Sequence, residues 1–203
     1  MLHFAFFTVL ISRYVTLCAR MQDDLKVLIK KAQDGDKESF GKLYKEYYKK
    51  IYRYCSFNCY DALVAEDICQ ETFVKAWKNL KSFKTDQENW SLQAFLFKIA
   101  RNLIIDRSRE KRNVSIEDHE EIEEVIDLYG DFDRQNDVNK VRRAISKLEE
   151  LERQIVVLRF FEELDSKEVA KILHINDGAL RVRQGRIMQK LKDIMEALYG
   201  NRN

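Results

Sequence analysis

Three arginines lie close together near the C-terminus, at Arg181, Arg183 and Arg186, in a segment with helical periodicity. The apolar seam of this segment consists of Leu180, Ile187 and Leu191. The arginines therefore fall on the other sides of the predicted helix and can reach outward. A guanidinium binds phosphate oxygens and can also donate two hydrogen bonds to a guanine edge. The pattern favours DNA binding, although a helix with solvated arginines would show it too.

The elements around these arginines support the DNA-binding interpretation. Asp165 is a good N-cap for a short helix, and Glu168 three residues later can complete a capping box. Residues 174–177 interrupt the apolar pattern, and Asn176 can cap the helix that carries the arginines. A short helix, a turn and a cationic second helix form the helix-turn-helix layout that places a recognition helix in the major groove. An ordinary helical hairpin is the alternative.

A second group of residues able to contact nucleic acid lies in the middle of the chain, on a helix that Ser91 can cap. The predicted buried side consists of Leu92, Phe95, Leu96, Ile99, Ala100, Leu103 and Ile104. Lys98, Arg101 and Asn102 lie off that side, and the amide of Asn102 can pair with a base edge. Cations towards a helix C-terminus are favourable in any protein, so a purely structural role is also open.

Two aromatic residues lie in or beside the polar loop before this helix, Phe83 and Trp90. An aromatic ring in such a loop can pack onto the protein core. It can also stack on an unpaired base. The sequence leaves both interpretations open.

The most regular helix of the chain precedes that loop and has a polar outer face. Its buried stripe consists of Ala65, Ile68, Cys69, Thr72, Phe73, Ala76, Trp77 and Leu80. The outer face holds Glu66, Asp67, Gln70, Glu71 and Val74. This face can be a solvated surface whose acids suit the helix dipole, or a docking surface for a basic partner helix. The pattern does not decide between the two.

Composition and charge predict an all-α fold. The chain has 203 residues, no proline, six glycines and 34% charged residues, which favours helices. Basic residues exceed acidic ones in residues 21–114 and again in residues 138–203, whereas residues 115–137 hold ten acids and one arginine. We therefore expect two small helical domains that each meet a polyanion, joined by an acidic, partly helical linker.

Residues 1–20 are expected to be an apolar extension outside both domains. Their apolar run is ten residues long, which is shorter than the roughly 20 residues that a bilayer requires. The cationic start of a secretory signal is missing, and an amphipathic helix begins directly after Met21. We expect a mis-assigned start codon, with Met21 as the true initiator.

The sequence predicts no metal site, no cofactor and no small-molecule substrate. The four cysteines form no CxxC pair, and core packing explains Cys55 and Cys59 better than zinc does. A nucleophile with its base and a glycine-rich phosphate loop are both missing, which argues against an enzyme. The cysteine pattern suits a reducing cytoplasm.

Three segments resemble a known family. AEDICQETFVKAWKNLKSF and LQAFLFKIARNLIIDRSREKR resemble region 2 of the extracytoplasmic-function group of sigma factors. LEELERQIVVLRFFEELDSKEVAKILHINDGALRVRQGRIMQKLK resembles region 4 of the same group. The resemblance covers roughly residues 23–198 in the right order. It assigns residues 21–114 to a region 2 bundle and residues 138–203 to a region 4 helix-turn-helix, with residues 115–137 as the linker.

This resemblance implies a promoter-specificity subunit of RNA polymerase, which is not itself an enzyme. Asp67, Gln70 and Glu71 match the face that docks on the clamp helices of the largest catalytic subunit. The residues that match the surface melting and reading the −10 element are Trp90, Lys98, Arg101 and Asn102. The residues that match the surface reading the −35 element are Arg181, Arg183 and Arg186. The implied partners are core RNA polymerase, promoter DNA and an anti-sigma factor, in the cytoplasm at the nucleoid.

Some positions depart from the family pattern. His174 stands where the turn often has glycine, which predicts a non-glycine residue with positive φ. Ala179 replaces a common threonine and Phe95 a common tryptophan.

The rival function is a helix-turn-helix regulator that acts without being a polymerase subunit. That alternative leaves the basic helix of residues 98–112 unexplained.

Overall fold

The computed structural model describes residues 23–59, 61–84, 91–114 and 132–200, all of which are helices and short connections without a β-strand. The helices are α1 (residues 23–33), α2 (Lys37–Asn58), α3 (Ala62–Asn79), α4 (Leu92–Val114), α5 (Phe132–Ser146), α6 (Glu150–Val156), α7 (Ser166–Leu173) and α8 (Asp177–Tyr199). A 3₁₀ turn follows α3 at Leu80–Ser82, and a π-helical turn continues α6 at Val157–Phe161. The predicted all-α fold is confirmed. Trp90, residues 1–20 and most of the acidic linker lie outside the described residues.

The N-terminal half is a bundle in which α2, α3 and α4 pack on one another. Asp36 and Asp61 cap α2 and α3 by accepting backbone N–H groups, and the Ser91 hydroxyl accepts the Ala94 N–H at the start of α4. Tyr54 and Phe97 lie in the core, where their rings meet edge to face with centroids 5.2 Å apart. These caps and the core fix the directions of α3 and α4, which carry the predicted functional faces.

The predicted buried side of α4 is partly wrong. Phe97, which the periodicity left out, is fully buried, whereas Phe95 and Ile99 are only half-buried. The reason is that α4 packs on α2 and α3 on one side and on α7 on another, so it has two buried sides. A single apolar stripe does not describe such a helix.

The C-terminal half packs α5, α6 and α7 against the long helix α8. A capping box between Glu149 and Glu152 begins α6. Ala144, Ile145 and Leu148 on and after α5 are buried, whereas Val141 is 37% exposed.

The helix-turn-helix forms as predicted at three local points. The Asp165 carboxylate accepts the Glu168 N–H and so caps α7, and Asn176 caps α8 by accepting the Gly178 N–H. His174 ends α7 in the left-handed conformation, with φ 55° and ψ 42°. The prediction of a capping box fails at Glu168. Its carboxylate is buried and accepts the backbone N–H of Ser91 in the other half, at 2.8 Å.

The two halves are in direct contact. Helix α7 packs against α4, and α6 with its π-helical turn packs against α2. The buried apolar side chains of both halves form one continuous cluster. Phe57 and Phe161 meet across the boundary with ring centroids 5.2 Å apart. Within the described residues, no helix is both long and apolar enough to cross a membrane.

Candidate nucleic-acid interface

The second helix of the helix-turn-helix presents its arginines to solvent. Arg181, Arg183 and Arg186 are all exposed on α8. Arg181 forms an ion pair with Asp177, since its guanidinium Nη2 donates to Asp177 Oδ2 at 2.9 Å. The Ser166 hydroxyl donates to Asp177 Oδ1 at 2.6 Å, and this hydrogen bond, with help from Arg181, lowers the pKa of Asp177. Asp177 therefore stays ionised and links the two helices of the motif.

The sequence interpretation overlooked an apolar member of this surface. Val182 is 58% exposed between Arg181 and Arg183. Gly185, one turn further along the same face, has open space around its Cα. An exposed β-branched residue among arginines on a recognition helix fits contact with the methyl group of thymine. The sequence could have pointed to Val182, because it lies between two predicted DNA-binding residues, Arg181 and Arg183.

The cationic surface of α4 is arranged differently. Asn102 is exposed, while Lys98 and Arg101 are half-buried. Arg101 Nε donates to Gln154 Oε1 of α6 at 3.2 Å, so its guanidinium already contacts the C-terminal half. The structure thus brings Lys98, Arg101 and Asn102 together on one stretch of α4. Trp90, predicted to act with them, lies outside the described residues.

A cavity of about 960 Å³ separates this stretch of α4 from the helix-turn-helix. Lys98 and Asn102 line it from α4, and Lys167, Lys171 and His174 line it from α7 and the turn after it. Cations from both halves therefore face one another across the gap. The predicted −10 surface therefore faces α7 at Lys98, while Asn102 at its edge is also exposed to solvent.

The predicted docking face on α3 is open. Asp67 and Gln70 are exposed, and Gln70 Nε2 donates to Glu66 Oε1 at 3.3 Å. Glu71 is half-buried, and its Oε1 forms an ion pair with Lys75 at 3.1 Å. Its Oε2 lies 4.0 Å from Arg107 Nη2 of α4. The face is therefore acidic and accessible at its centre, with Glu71 partly neutralised.

Two apolar residues bracket this acidic centre. Leu63 is 73% exposed and Val74 is 52% exposed. With Asp67 and Gln70 they form one stripe at helical spacing along α3. The sequence had placed Val74 on the outer face but had not singled out Leu63. Single exposed apolar residues also occur on ordinary surfaces, so the docking role of this stripe stays a prediction.

The described cysteines belong to the core. Cys55 and Cys69 are buried and Cys59 is half-buried, all as free thiols. Burial, reinforced by the nearby Glu66 carboxylate, raises the pKa of Cys69 to about 12. The thiols are therefore protonated and unreactive at neutral pH. Core packing was predicted for Cys55 and Cys59 from their spacing and for Cys69 from the buried stripe of α3, and it accounts for all three.

Comparison with protein families places both halves. Residues 43–114 match the family described as Sigma-70 region 2, and residues 139–191 match Sigma-70, region 4. Together the two matches cover more than half of the chain, in the order that the sequence resemblance required. The chain belongs to the sigma-70 family.

Individual relatives place the sigma factor in the extracytoplasmic-function group. It is 29% identical over 190 residues to the ECF RNA polymerase sigma factor SigW of Bacillus subtilis, covering 86% of this chain and 100% of that protein. CnrH, solved in complex with the cytosolic domain of CnrY, has the same fold, with a TM-score of 0.64 and 23% identity over 84% of this chain and 96% of CnrH. RpoE of Bartonella quintana, solved with the anti-sigma factor NepR, aligns at a TM-score of 0.67 and 21% identity, over 78% of this chain and 98% of that one.

These matches confirm the predicted fold, family and function. Sigma factors are DNA-binding proteins that direct RNA polymerase to promoters at transcription initiation. The rival prediction, a regulator acting without polymerase, does not account for the region 2 match of residues 43–114. The roles of individual residues on α3, α4 and α8 remain predictions, and so do the domain boundaries.

Proposed function

We propose that this sigma factor acts through three separate surfaces, one each on α3, α4 and α8. The α3 surface docks on core polymerase, the α4 surface reads and melts the −10 element, and the α8 surface reads the −35 element. The observation that carries this proposal is that an acidic surface and a cationic surface lie next to each other in the N-terminal half. The acidic centre of α3 and the cationic stretch of α4 lie on adjacent helices that pack together. A basic partner helix can therefore bind α3 while the negatively charged DNA binds α4 beside it.

Docking on α3 uses Asp67, Gln70 and Glu71. Asp67 and Gln70 are exposed, so a basic helix of the polymerase clamp can approach them without rearrangement. Glu71 exchanges its partners Lys75 and Arg107 for a cation of polymerase. Leu63 and Val74 bury apolar area at the two ends of the contact.

The −10 element is bound by Trp90, Lys98, Arg101 and Asn102. Lys98 and Arg101 neutralise phosphates of the melted strand, and Asn102 hydrogen-bonds a base edge. Trp90 stacks on an unpaired base and thereby holds the strand open. Arg101 reaches DNA only after it releases Gln154.

The −35 element is read in the major groove by α8. Arg181 and Arg183 lie in the first half of the helix, the part that enters the groove, and donate to guanine. Val182 between them contacts a thymine methyl group. Arg186, one turn further on, binds phosphate. Asp177 orients the Arg181 guanidinium for this contact through their ion pair.

In this proposal the polymerase supplies all catalysis and the sigma factor contributes binding and strand separation. No metal, cofactor or small-molecule substrate is required. The protein works in the cytoplasm, at the nucleoid. An anti-sigma factor is the proposed inhibitor, since RpoE, which has a similar fold, was solved with the anti-sigma factor NepR.

Run-off transcription with core polymerase on total genomic DNA tests the function on every promoter of the genome at once. We expect discrete transcripts that appear only when the full chain is added. Their start sites then define the −10 and −35 elements. A transcript pattern identical to that of core polymerase alone would contradict the proposal.

A further inference from the structure

A short turn leads from α3 into the polar loop that precedes α4. Helix α3 ends at Asn79, and the chain continues through the 3₁₀ turn Leu80–Ser82 to Phe83. At Phe83 the backbone becomes extended, with φ −71° and ψ 126°. We call residues 80–84 the stem, because the part of the loop that carries Trp90 follows them directly in the sequence.

The side chain of Gln33 ties this stem to α1. Gln33 is the last residue of α1 and is half-buried. Its Nε2 donates to the Leu80 carbonyl at 3.0 Å and to the Phe83 carbonyl at 2.6 Å. A primary amide has two N–H donors, so both of them are used on the stem. Because the two carbonyls lie at the two ends of one turn, the amide fixes the position of the turn and its direction.

The Phe83 carbonyl lies where the helical hydrogen-bond pattern ends. The Leu80 carbonyl also accepts the Phe83 N–H, at 3.0 Å, which closes the 3₁₀ turn. Phe83 is buried, and a carbonyl at a buried position is costly when it has no donor. Gln33 supplies that donor. It therefore stabilises the conformation in which the helical turn stops at Phe83 and the loop begins there.

The stem also contacts the helix that is proposed to bind the −10 element. The Phe83 ring packs on the Phe95 ring of α4, with centroids 5.1 Å apart. Lys98 and Asn102 follow Phe95 by about one and two helical turns. Phe83, Phe95, Lys98 and Asn102 all line the same cavity. A displacement of the stem would therefore move one wall of the cavity that the proposed −10 residues line.

We propose that Gln33 is a positioning residue for −10 recognition, which holds the stem so that Trp90 can stack on an unpaired base beside Lys98 and Asn102. Gln33 acts through the stem rather than by contact with DNA, because both of its N–H donors are used within the protein. A loop that is held in its binding geometry loses less conformational freedom when the strand binds. This inference rests on the proposed function of α4 and of the loop before it.

The test uses holoenzyme reconstituted from core polymerase and the full chain. Two probes come from one promoter identified by genomic run-off, the single non-template strand of the −10 element and the −35 duplex. Gln33→Met nearly keeps the length of the side chain and removes both donors. Asn58→Leu is the matched control, since Asn58 Nδ2 donates to the Tyr54 carbonyl at 2.8 Å and so forms a similar amide-to-carbonyl bond within α2.

We expect Gln33→Met to raise the Kd for the −10 strand about fivefold, since a stacked base is worth roughly tenfold in Kd and misplacement loses part of that. The Kd values for the −35 duplex and for core polymerase should not change. Asn58→Leu should leave all three Kd values unchanged, even where it lowers the midpoint of thermal unfolding as much as Gln33→Met does. If circular dichroism shows that Gln33→Met is unfolded, Gln33→Asn replaces it. That variant keeps the amide on a shorter side chain, and the same selective loss is expected.

A double-variant cycle with Trp90→Ala tests the route through the loop. Once Trp90 is removed, Gln33→Met should raise the Kd for the −10 strand by less than about twofold, because residues that act as a unit are not additive. Fully additive losses would overturn the proposal. An unchanged Kd for the −10 strand in Gln33→Met would also overturn it, and so would an equal loss on both probes, which a merely structural role predicts.

Trp90→Ala alone separates failure of this inference from failure of the proposed function. If Trp90→Ala leaves the Kd for the −10 strand unchanged, the proposed role of the loop fails, and the positioning role of Gln33 fails with it. If Trp90→Ala weakens binding of the −10 strand while Gln33→Met does not, only the positioning role fails.

Discussion

The cationic surfaces of α4 and α8 contain the same kinds of side chain but lie in different surroundings. On α8 the three arginines face solvent, and Arg181 forms an ion pair with Asp177 of the same helix. On α4 Arg101 bonds to Gln154 of the other half, and Lys98 and Asn102 face α7 across a cavity. Of the two surfaces proposed to bind DNA, the one on α8 is therefore open and the one on α4 is partly engaged by the other half.

This difference suits the kind of DNA that each surface is proposed to bind. A −35 duplex exists before polymerase arrives, and an exposed helix can dock in its groove directly. A −10 single strand exists only after melting, and an open cationic and aromatic surface would bind any unpaired strand in the cell. We expect the contact between Arg101 and Gln154 to reduce such binding in the free protein and to leave α8 unaffected.

The acidic centre of α3 is open like the arginine surface of α8, and substitutions there should have the largest effect on binding. Asp67→Lys combined with Glu71→Lys places cations against a basic partner helix, where close like charges cost several kcal/mol. The Kd for core polymerase should rise about a hundredfold or more, measured by fluorescence anisotropy of the labelled sigma factor. Glu46→Lys, at an exposed site on α2, is the control. Unchanged affinity in the double variant would remove the docking assignment of α3.

Asn102→Ala tests the proposed role of the α4 surface in binding the melted −10 element. A base-edge contact is worth about 1–3 kcal/mol, and this one forms on a base that melting exposes. We expect fewer open complexes, by roughly tenfold, with closed-complex binding retained. Permanganate footprinting measures the first quantity and a gel-shift assay at low temperature the second. Because Asn102 is exposed, the midpoint of thermal unfolding should not change. An equal loss at both stages would make the role of Asn102 structural.

Arginine variants test the open side. Arg181→Ala or Arg183→Ala should relax the preference at one −35 position by about 1–3 kcal/mol if the side chain reads guanine. Arg186→Ala should weaken all sequences alike and reduce the slope of log K against log salt by about one. Competition among randomised −35 duplexes, bound by holoenzyme, separates the outcomes. If both Arg181→Ala and Arg183→Ala keep the wild-type sequence preference, base reading by these arginines is refuted.

The smallest effect is expected at Val182. Replacing a −35 thymine by deoxyuridine removes only the methyl group, which is worth about 0.8 kcal/mol when buried, or roughly a fourfold change in Kd. The wild type should bind about fourfold more weakly when the contacted thymine becomes deoxyuridine. The affinity of the Val182→Ala variant should not change with the same thymine-to-deoxyuridine replacement. Equal sensitivity of both proteins to deoxyuridine would show that Val182 does not contact the methyl group.

Local features of the fold were predictable because their signals lie within a few residues. The caps at Asp165 and Asn176 and the left-handed His174 follow from side-chain chemistry at fixed offsets. The outward direction of the α8 arginines follows from helical periodicity alone. The same periodicity correctly left Asp67 and Gln70 exposed on α3.

The contact between the halves was not predictable in the same way. Glu162 and Glu168 are buried with partners, Arg53 and Ser91, that lie far away in the sequence, so no local pattern points to either contact. The wrong assignments share this cause. Phe97 was overlooked and Glu168 was expected to complete a local capping box, since periodicity and capping rules consider one helix at a time.

The most direct test of the account compares the free sigma factor with the holoenzyme on two halves of one promoter identified by genomic run-off. One probe is the −35 duplex and the other is the single non-template strand of the −10 element. We predict that the free protein binds the −35 duplex weakly and with strong salt dependence, and binds the −10 strand at least about tenfold more weakly than the holoenzyme does. Binding of the −10 strand by the free protein as tightly as by the holoenzyme would contradict the account.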